Sequence, residues 1–278
     1  MNARVLVNGA ADRSIPVDDR GLAYGDGLFE TLALRAGRLR FIDAHLARLA
    51  RGCARLGIIA PPEALLRAQL ATVSDGVAHG VVKILLTRGP GPRGYAPPAS
   101  PEPTLIVSCH PAEPSRGATV PLRVRDCATP VATSPALAGL KTLNRLEQVL
   151  ARSEWHDPAI GEGLMRDEDG WYAGGTASNL FIVRDGTLLT PGLSRRGVRG
   201  IMRDVVLSAS ARLGIATAEV DLGRADLDGA SEMFLTSALI GIAPVGEFDG
   251  RRLATGPVTR RLRAELAAAG VGECAAPL

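Results

Sequence analysis

Lysine is almost missing from this chain. Two occur in 278 residues, Lys83 and Lys141, against 30 arginines. Arginine therefore carries nearly all the routine positive charge. What arginine cannot do is lose its proton near neutral pH and form an imine with an aldehyde; that takes a primary amine whose site lowers its pKa. Each retained lysine is a candidate for chemistry, with a surviving surface charge as the plain alternative. Cysteine and histidine are also scarce, four of each. Cys53, Cys109, Cys127 and Cys274 form no Cys-x-x-Cys pair and read as buried, reduced thiols of a cytoplasmic protein. His45, His79, His110 and His156 show no metal-ligand spacing, so no metal is expected. With only ten aromatics and no basic run of five or six residues, nucleic acid is excluded as the main partner. No apolar run approaches the roughly 18 residues of a membrane span, and Met1 to Val7 lacks a charged head before an apolar core. No membrane partner is expected, and the net charge of +3 suits a small anionic substrate better.

What is present is enough apolar residue for a substantial core, 46% against 22% charged. Leu28 to Arg35 and Arg38 to Phe41 read as a hairpin turned at Ala36-Gly37. Asp43 is the expected N-cap of a helix over 44–56, with Leu46, Leu49 and Cys53 inward and Gly57 as its stop. Pro61-Pro62 starts a second helix, with Leu65, Leu66 and Leu70 inward. Val81 to Thr87 and Thr104 to Cys109 read as strands around a Gly- and Pro-rich loop, Arg88 to Pro103, of the long kind that often carries function. The expected organisation is an N-terminal α/β domain over 1–112, a linker over 113–121 and a C-terminal domain over 122–278. In that second part a helix is expected over 142–154, with Leu143, Leu146, Val149 and Leu150 as its buried stripe. Another helix opens at Gly200-Ile201-Met202-Arg203, and strands are expected near 122–127, 164–166, 180–183, 187–190, 217–220, 232–235 and 248–253. The mixed ordering favours α/β or α+β halves over a doubly wound sheet, since no Gly-x-Gly-x-x-Gly follows a strand.

Five segments in order resemble the fold-type IV pyridoxal phosphate enzymes, the group of branched-chain and D-amino-acid aminotransferases and aminodeoxychorismate lyases. They are Asp19-Arg20-Gly21-Leu22-Ala23-Tyr24-Gly25-Asp26-Gly27-Leu28-Phe29-Glu30, His45-Leu46-Ala47-Arg48-Leu49, Lys141-Thr142-Leu143-Asn144-Arg145-Leu146-Glu147-Gln148-Val149, Ser178-Asn179-Leu180-Phe181 and Gly200-Ile201-Met202-Arg203. The lysine segment and the loop from Arg88 through Arg93 and Tyr95 most resemble the aminodeoxychorismate lyases. The resemblance implies two domains, the second with a barrel-like sheet, a homodimer, and pyridoxal 5'-phosphate as cofactor. It implies Lys141 as the lysine that holds the cofactor and moves the substrate proton, and Arg48 as a phosphate ligand. Gly200, Ile201 and Met202 are implied at the phosphate through a helix N-terminus, and Ser237 and Ala238 beside it. For the substrate, Arg88 and Arg93 are the candidate carboxylate partners, with Tyr24 and Tyr95 shaping the pocket. Their plain alternative is exposed loop arginines and packed tyrosines.

One position departs from the family pattern. The glutamate that pairs with the pyridine nitrogen normally stands five residues before the asparagine of Asn-Leu-Phe, and here that place is Gly174. Losing this carboxylate weakens the ring as an electron acceptor, and full transamination depends on that most. An elimination that ends in an aromatic ring suffers less. The expected function is release of pyruvate from 4-amino-4-deoxychorismate to give p-aminobenzoate, a folate precursor. The alternatives are an aminotransferase of the branched-chain or D-amino-acid type, or a catalytically impaired cofactor-binding relative.

Overall fold

The N-terminal alternation builds one antiparallel sheet with two helices on it. In the computed structural model, which describes residues 3–113 and 120–275, contacts divide the chain into two units. One is Met1–Pro114 with Leu140–Asn144, the other Ser115–Gly139 with Arg145–Leu278. Residues 114–119 of the expected linker lie outside the described residues.

The first unit contains β1 (Arg4–Val7), α1 (Arg20–Tyr24), β2 (Gly27–Arg35), β3 (Arg38–Leu39), α2 (Ile42–Leu56), α3 (Glu63–Ser74), β4 (Gly80–Thr87) and β5 (Leu105–Pro111). Its sheet runs β1-β5-β4-β2-β3, antiparallel at every step. Ala36 and Gly37 turn β2 into β3 with both φ angles positive, the hairpin geometry that glycine makes accessible. Leu46, Leu49 and Cys53 of α2 and Leu66, Leu70 and Val73 of α3 join Leu32, Ile84 and Val107 of the sheet in one core. Each fully buried leucine there contributes about 2 kcal/mol. Gly57 ends α2 in the left-handed conformation. Two expectations need correction. Phe41, not Asp43, is the N-cap; α2 begins at Ile42, and Asp43 sits in its first turn paired with Arg67 of α3. Leu65 stands 46% exposed, because α3 turns only Leu66, Leu70 and Val73 to the sheet.

The second unit contains β6 (Leu122–Asp126), α4 (Leu146–Arg152), β7 (Ile160–Arg166), β8 (Tyr172–Gly175), β9 (Asn179–Arg184), β10 (Thr187–Pro191), α5 (Ile201–Arg212), β11 (Thr217–Val220), α6 (Arg224–Asp228), β12 (Glu232–Ser237), β13 (Gly241–Phe248), β14 (Arg251–Arg252) and α7 (Pro257–Ala268). Its curled sheet runs β11-β10-β9-β12-β13-β6-β7-β8, with β14 on β13. Pairing is mixed: β10 with β11, β13 with β6 and β6 with β7 are parallel, and the rest antiparallel. Strand β8 and helix α6 were not expected, and two further elements differ from expectation. The helix expected over 142–154 is only α4, because residues 142–143 are extended and bonded to β2, with the Leu143 N–H donating to the Gly27 carbonyl at 3.0 Å. Its stripe is not buried: Leu146, Val149 and Leu150 are 71%, 57% and 54% exposed. Strand β13 was not expected, and it pairs on both edges despite Gly241, Pro244 and Gly246. The mixed α/β class is as expected. No helix among the described residues is long and apolar enough to cross a membrane.

Candidate active site

Lys141 is held by strand pairing to the first unit, although its neighbours in sequence belong to the second. Its carbonyl accepts from the Phe29 N–H at 2.9 Å, and Leu28 bridges Thr142. Asn144 donates its side-chain amide to the Gly25 carbonyl at 3.2 Å; Gly25, with φ 66°, leaves no room for a side chain against that amide. This segment is clipped to β2 on both sides of the lysine. The half-buried Lys141 Nζ lies 4.2 Å from the Phe29 ring centroid. Lys83, which reads as an ordinary strand residue in the sequence, places its own Nζ 5.4 Å from that centroid. The only two lysines of the chain therefore share one aromatic ring.

Arg48, expected at a phosphate, is buried on α2 and gripped by Glu30 of β2. Nε donates to Oε1 at 2.7 Å and Nη2 to Oε2 at 2.6 Å. His45, one turn earlier, places Nδ1 2.6 Å from Oε2. Burial pushes the Glu30 carboxyl up, but the bonds from His45 and Arg48 outweigh it and hold the group below the usual glutamate range.

The Gly/Pro loop is pinned at its start and near its tip. Arg20 donates to the carbonyls of Gly94, Tyr95 and Ala96 at 3.0–3.3 Å and to Asp26 at 2.9 Å. The Tyr24 hydroxyl accepts from the Gly94 N–H, and its ring meets Tyr95 edge-on at 5.5 Å. Arg88, expected at a substrate carboxylate, is engaged within the first unit. Its guanidinium grips Asp26 through Nε and Nη2 at 2.8 and 3.0 Å and caps α2 by donating to the Leu56 and Gly57 carbonyls. At 7% exposure it is held between Asp26 and the end of α2 by these bonds. Burial raises the Asp26 carboxyl, yet Arg88 and Arg20 hold it below the ordinary range. Arg93 and Tyr95 stand exposed at the loop tip, Tyr95 at 86%.

In the second unit, helix α5 begins at Gly200 with no side-chain cap, and its first internal bond is Asp204 N–H to the Gly200 carbonyl. The N–H groups of Ile201, Met202 and Arg203 have no partner inside the helix, and all three residues are buried. Any Cβ on Gly200 would strike the Asn179 carboxamide, which donates to the Val198 carbonyl at 2.8 Å. Thr236 is in register with Asn179, so Ser237 at the end of β12 comes to the same corner. There the Ser237 hydroxyl accepts from the N–H groups of Leu239 and Ile240, and Ala238 lies between. Gly174 also reaches this corner: a Cβ built on it lies 3.5 Å from Asn179 Cα. The structure thus gathers Gly174, Asn179, Gly200 to Met202 and Ser237-Ala238 within this unit.

Glu162 of β7, which stands too far upstream in the sequence to fill the position of Gly174, has a different role that the sequence does not signal. Its buried carboxylate accepts from Thr176 N–H and Oγ1, Ala177 N–H and Ser178 Oγ at 2.6–3.2 Å, which ties down the turn after β8. It lies against Gly175, on the other side of the strand from Gly174. Sixteen residues separate it from Ser178, and no local pattern signals such a bond.

The model of the family "Amino-transferase class IV" matches residues 27–248. An aminodeoxychorismate lyase of Vibrio harveyi is 33% identical over 94% of this chain and 98% of its own length. A putative branched-chain-amino-acid aminotransferase of Methanocaldococcus jannaschii is 32% identical over 91% and 90%. The crystal structure of 4-amino-4-deoxychorismate lyase from Pseudomonas aeruginosa superimposes with a TM-score of 0.89 at 46% identity, covering 95% of this chain and 98% of that one. The chain belongs to the class IV aminotransferase family, the fold-type IV enzymes whose cofactor is pyridoxal 5'-phosphate. It is an enzyme of this kind.

Proposed function

We propose that this enzyme is a lyase that converts 4-amino-4-deoxychorismate to p-aminobenzoate and pyruvate. The observation that carries the reading is the lysine clipped to β2 in a segment like that of the lyases, together with the absence of a carboxylate at Gly174. Taken singly, each unit carries groups whose chemistry fits the cofactor. The second offers the buried, uncapped N-terminus of helix α5, suited to a phosphate dianion; the first offers the Arg48 guanidinium and the Lys141 amine beside an aromatic face. When bound, the cofactor supplies an electron-accepting ring that stabilises charge on the amine-bearing carbon.

Lys141 Nζ takes the proton from that carbon, the neighbouring carbon-oxygen bond breaks as the ring becomes aromatic, and the enolate of pyruvate that leaves takes up that proton to become pyruvate. Atoms balance without water and without an amino acceptor. Arg93 faces one substrate carboxylate from the pinned loop, with Tyr24 and Tyr95 as its walls, and Lys83 is a second cation beside Phe29. Arg88 plays no part in binding substrate. We also propose a homodimer, supported by the apolar face that α4 leaves exposed; a monomeric mass in sedimentation at micromolar concentration contradicts it.

The test is an assay of purified enzyme with 4-amino-4-deoxychorismate. Equal amounts of p-aminobenzoate and pyruvate are expected, at a rate that added α-keto acid leaves unchanged. In the same assay Arg93→Ala raises KM roughly tenfold, the scale of one lost charge-assisted bond, while cofactor affinity stays constant. Turnover that depends on an α-keto acid would instead make the chain an aminotransferase, like its relative from Methanocaldococcus jannaschii.

A further inference from the structure

Glu30, His45 and Arg48 form a buried, hydrogen-bonded group inside the first unit. His45 and Arg48 are three residues apart on α2, so both reach the same side of the helix, where β2 presents Glu30. Exposures are 1%, 1% and 8% for Glu30, His45 and Arg48. A carboxylate only accepts, so the 2.6 Å contact with His45 puts the hydrogen on Nδ1. The other ring nitrogen, Nε2, is buried without a hydrogen-bond partner among the described residues. An imidazole kept in the core with one nitrogen unpaired is poorly chosen for packing alone, since an apolar side chain would avoid that penalty. What it adds is the bond to Glu30.

We infer that Glu30 and His45 are positioning residues that fix the guanidinium of Arg48 for the cofactor phosphate. The inference rests on the proposed reading of Arg48 as a phosphate ligand. A guanidinium is planar, and both Glu30 oxygens hold its Nε/Nη2 edge, so the plane and the direction of Nη1 are set by Glu30. His45 in turn holds Oε2 and stops the carboxylate from rotating. The order of a long side chain is thereby set during folding, and binding does not have to supply it. Neutralisation of the arginine by the glutamate makes the effect one of geometry more than of net charge.

The test compares apo-protein binding of pyridoxal 5'-phosphate with binding of pyridoxal, which lacks the phosphate. His45→Leu is expected to weaken pyridoxal phosphate about fivefold and to leave pyridoxal unchanged. His45→Asn, whose amide N–H stands where Nδ1–H was, restores wild-type affinity. Arg48→Lys, which loses the fork, weakens pyridoxal phosphate at least as much as His45→Leu does. If Arg48→Lys leaves binding intact, the reading of Arg48 fails and the inference with it. If Arg48→Lys weakens binding while His45→Leu does not, or if His45→Leu weakens both ligands equally, the group is structural only and the inference alone is overturned. Should His45→Leu fail to fold, Glu30→Asp, which keeps the charge and shortens the reach, gives the same comparison.

Discussion

Replacing Lys141 with alanine is expected to lower turnover about 1000-fold while leaving the fold intact. The two effects separate because the backbone at this position is itself bonded to β2, whatever the side chain. The Lys141 carbonyl that accepts from Phe29 and the flanking bonds of Leu143 and Asn144 survive the change. The side chain contributes a contact with the Phe29 ring, worth about 0.5–1 kcal/mol in a partly exposed setting. A fall in Tm of only a few degrees should therefore accompany near-complete loss of p-aminobenzoate formation. Lys141→Arg keeps the charge and the ring contact but cannot give up its proton, so it should be equally inactive. A Lys141→Ala enzyme within tenfold of wild type would remove the residue from the chemistry.

Placing a glutamate at position 174 should fail. Gly174→Glu is expected to cost about 1–3 kcal/mol of stability and to bring no gain in transamination. Gly174 has φ 140°, a conformation that L residues rarely adopt, and a Cβ on it would lie 2.6 Å from the Ser178 carbonyl oxygen. That oxygen is not free to move: it accepts from the Gly175 N–H at 2.8 Å, in the turn that Glu162 ties down. Gly174→Ala carries the same strain without the charge and should lose about as much, so thermal melts of the pair separate strain from electrostatics. A Gly174→Glu protein that melts with the wild type and transaminates faster would show that the backbone adapts easily and that the glycine does not restrain the reaction.

Much of the first unit is legible in the sequence because its signals are local. Leu46, Leu49 and Cys53 recur at helical spacing and are buried, Gly57 stops the helix, and Ala36-Gly37 makes the turn. The failures share a cause, which is pairing between residues far apart. The apolar spacing of Leu143, Leu146, Val149 and Leu150 suggests one long buried helix, yet β2 captures residues 142–143 as extended chain and the rest stays exposed. Pro244 and two glycines suggest turns, but β12 and β6 flank the segment and make it a strand. The candidate residues of each unit follow the same rule. Lys141 and Arg48 in the first and the α5 N-terminus in the second stand out by residue type and motif, whereas the partners that hold their side chains do not. Asp26 claims Arg88 across 62 residues, and Glu30 claims Arg48 across 18.

The most direct test of the account is to reduce the purified, cofactor-loaded enzyme with borohydride and map the labelled peptide. Both lysines approach the same phenylalanine ring, so the experiment chooses between two amines in similar surroundings. The account predicts loss of the visible absorption band and a phosphopyridoxyl group on Lys141 alone. Label on Lys83, or on neither lysine, would contradict it.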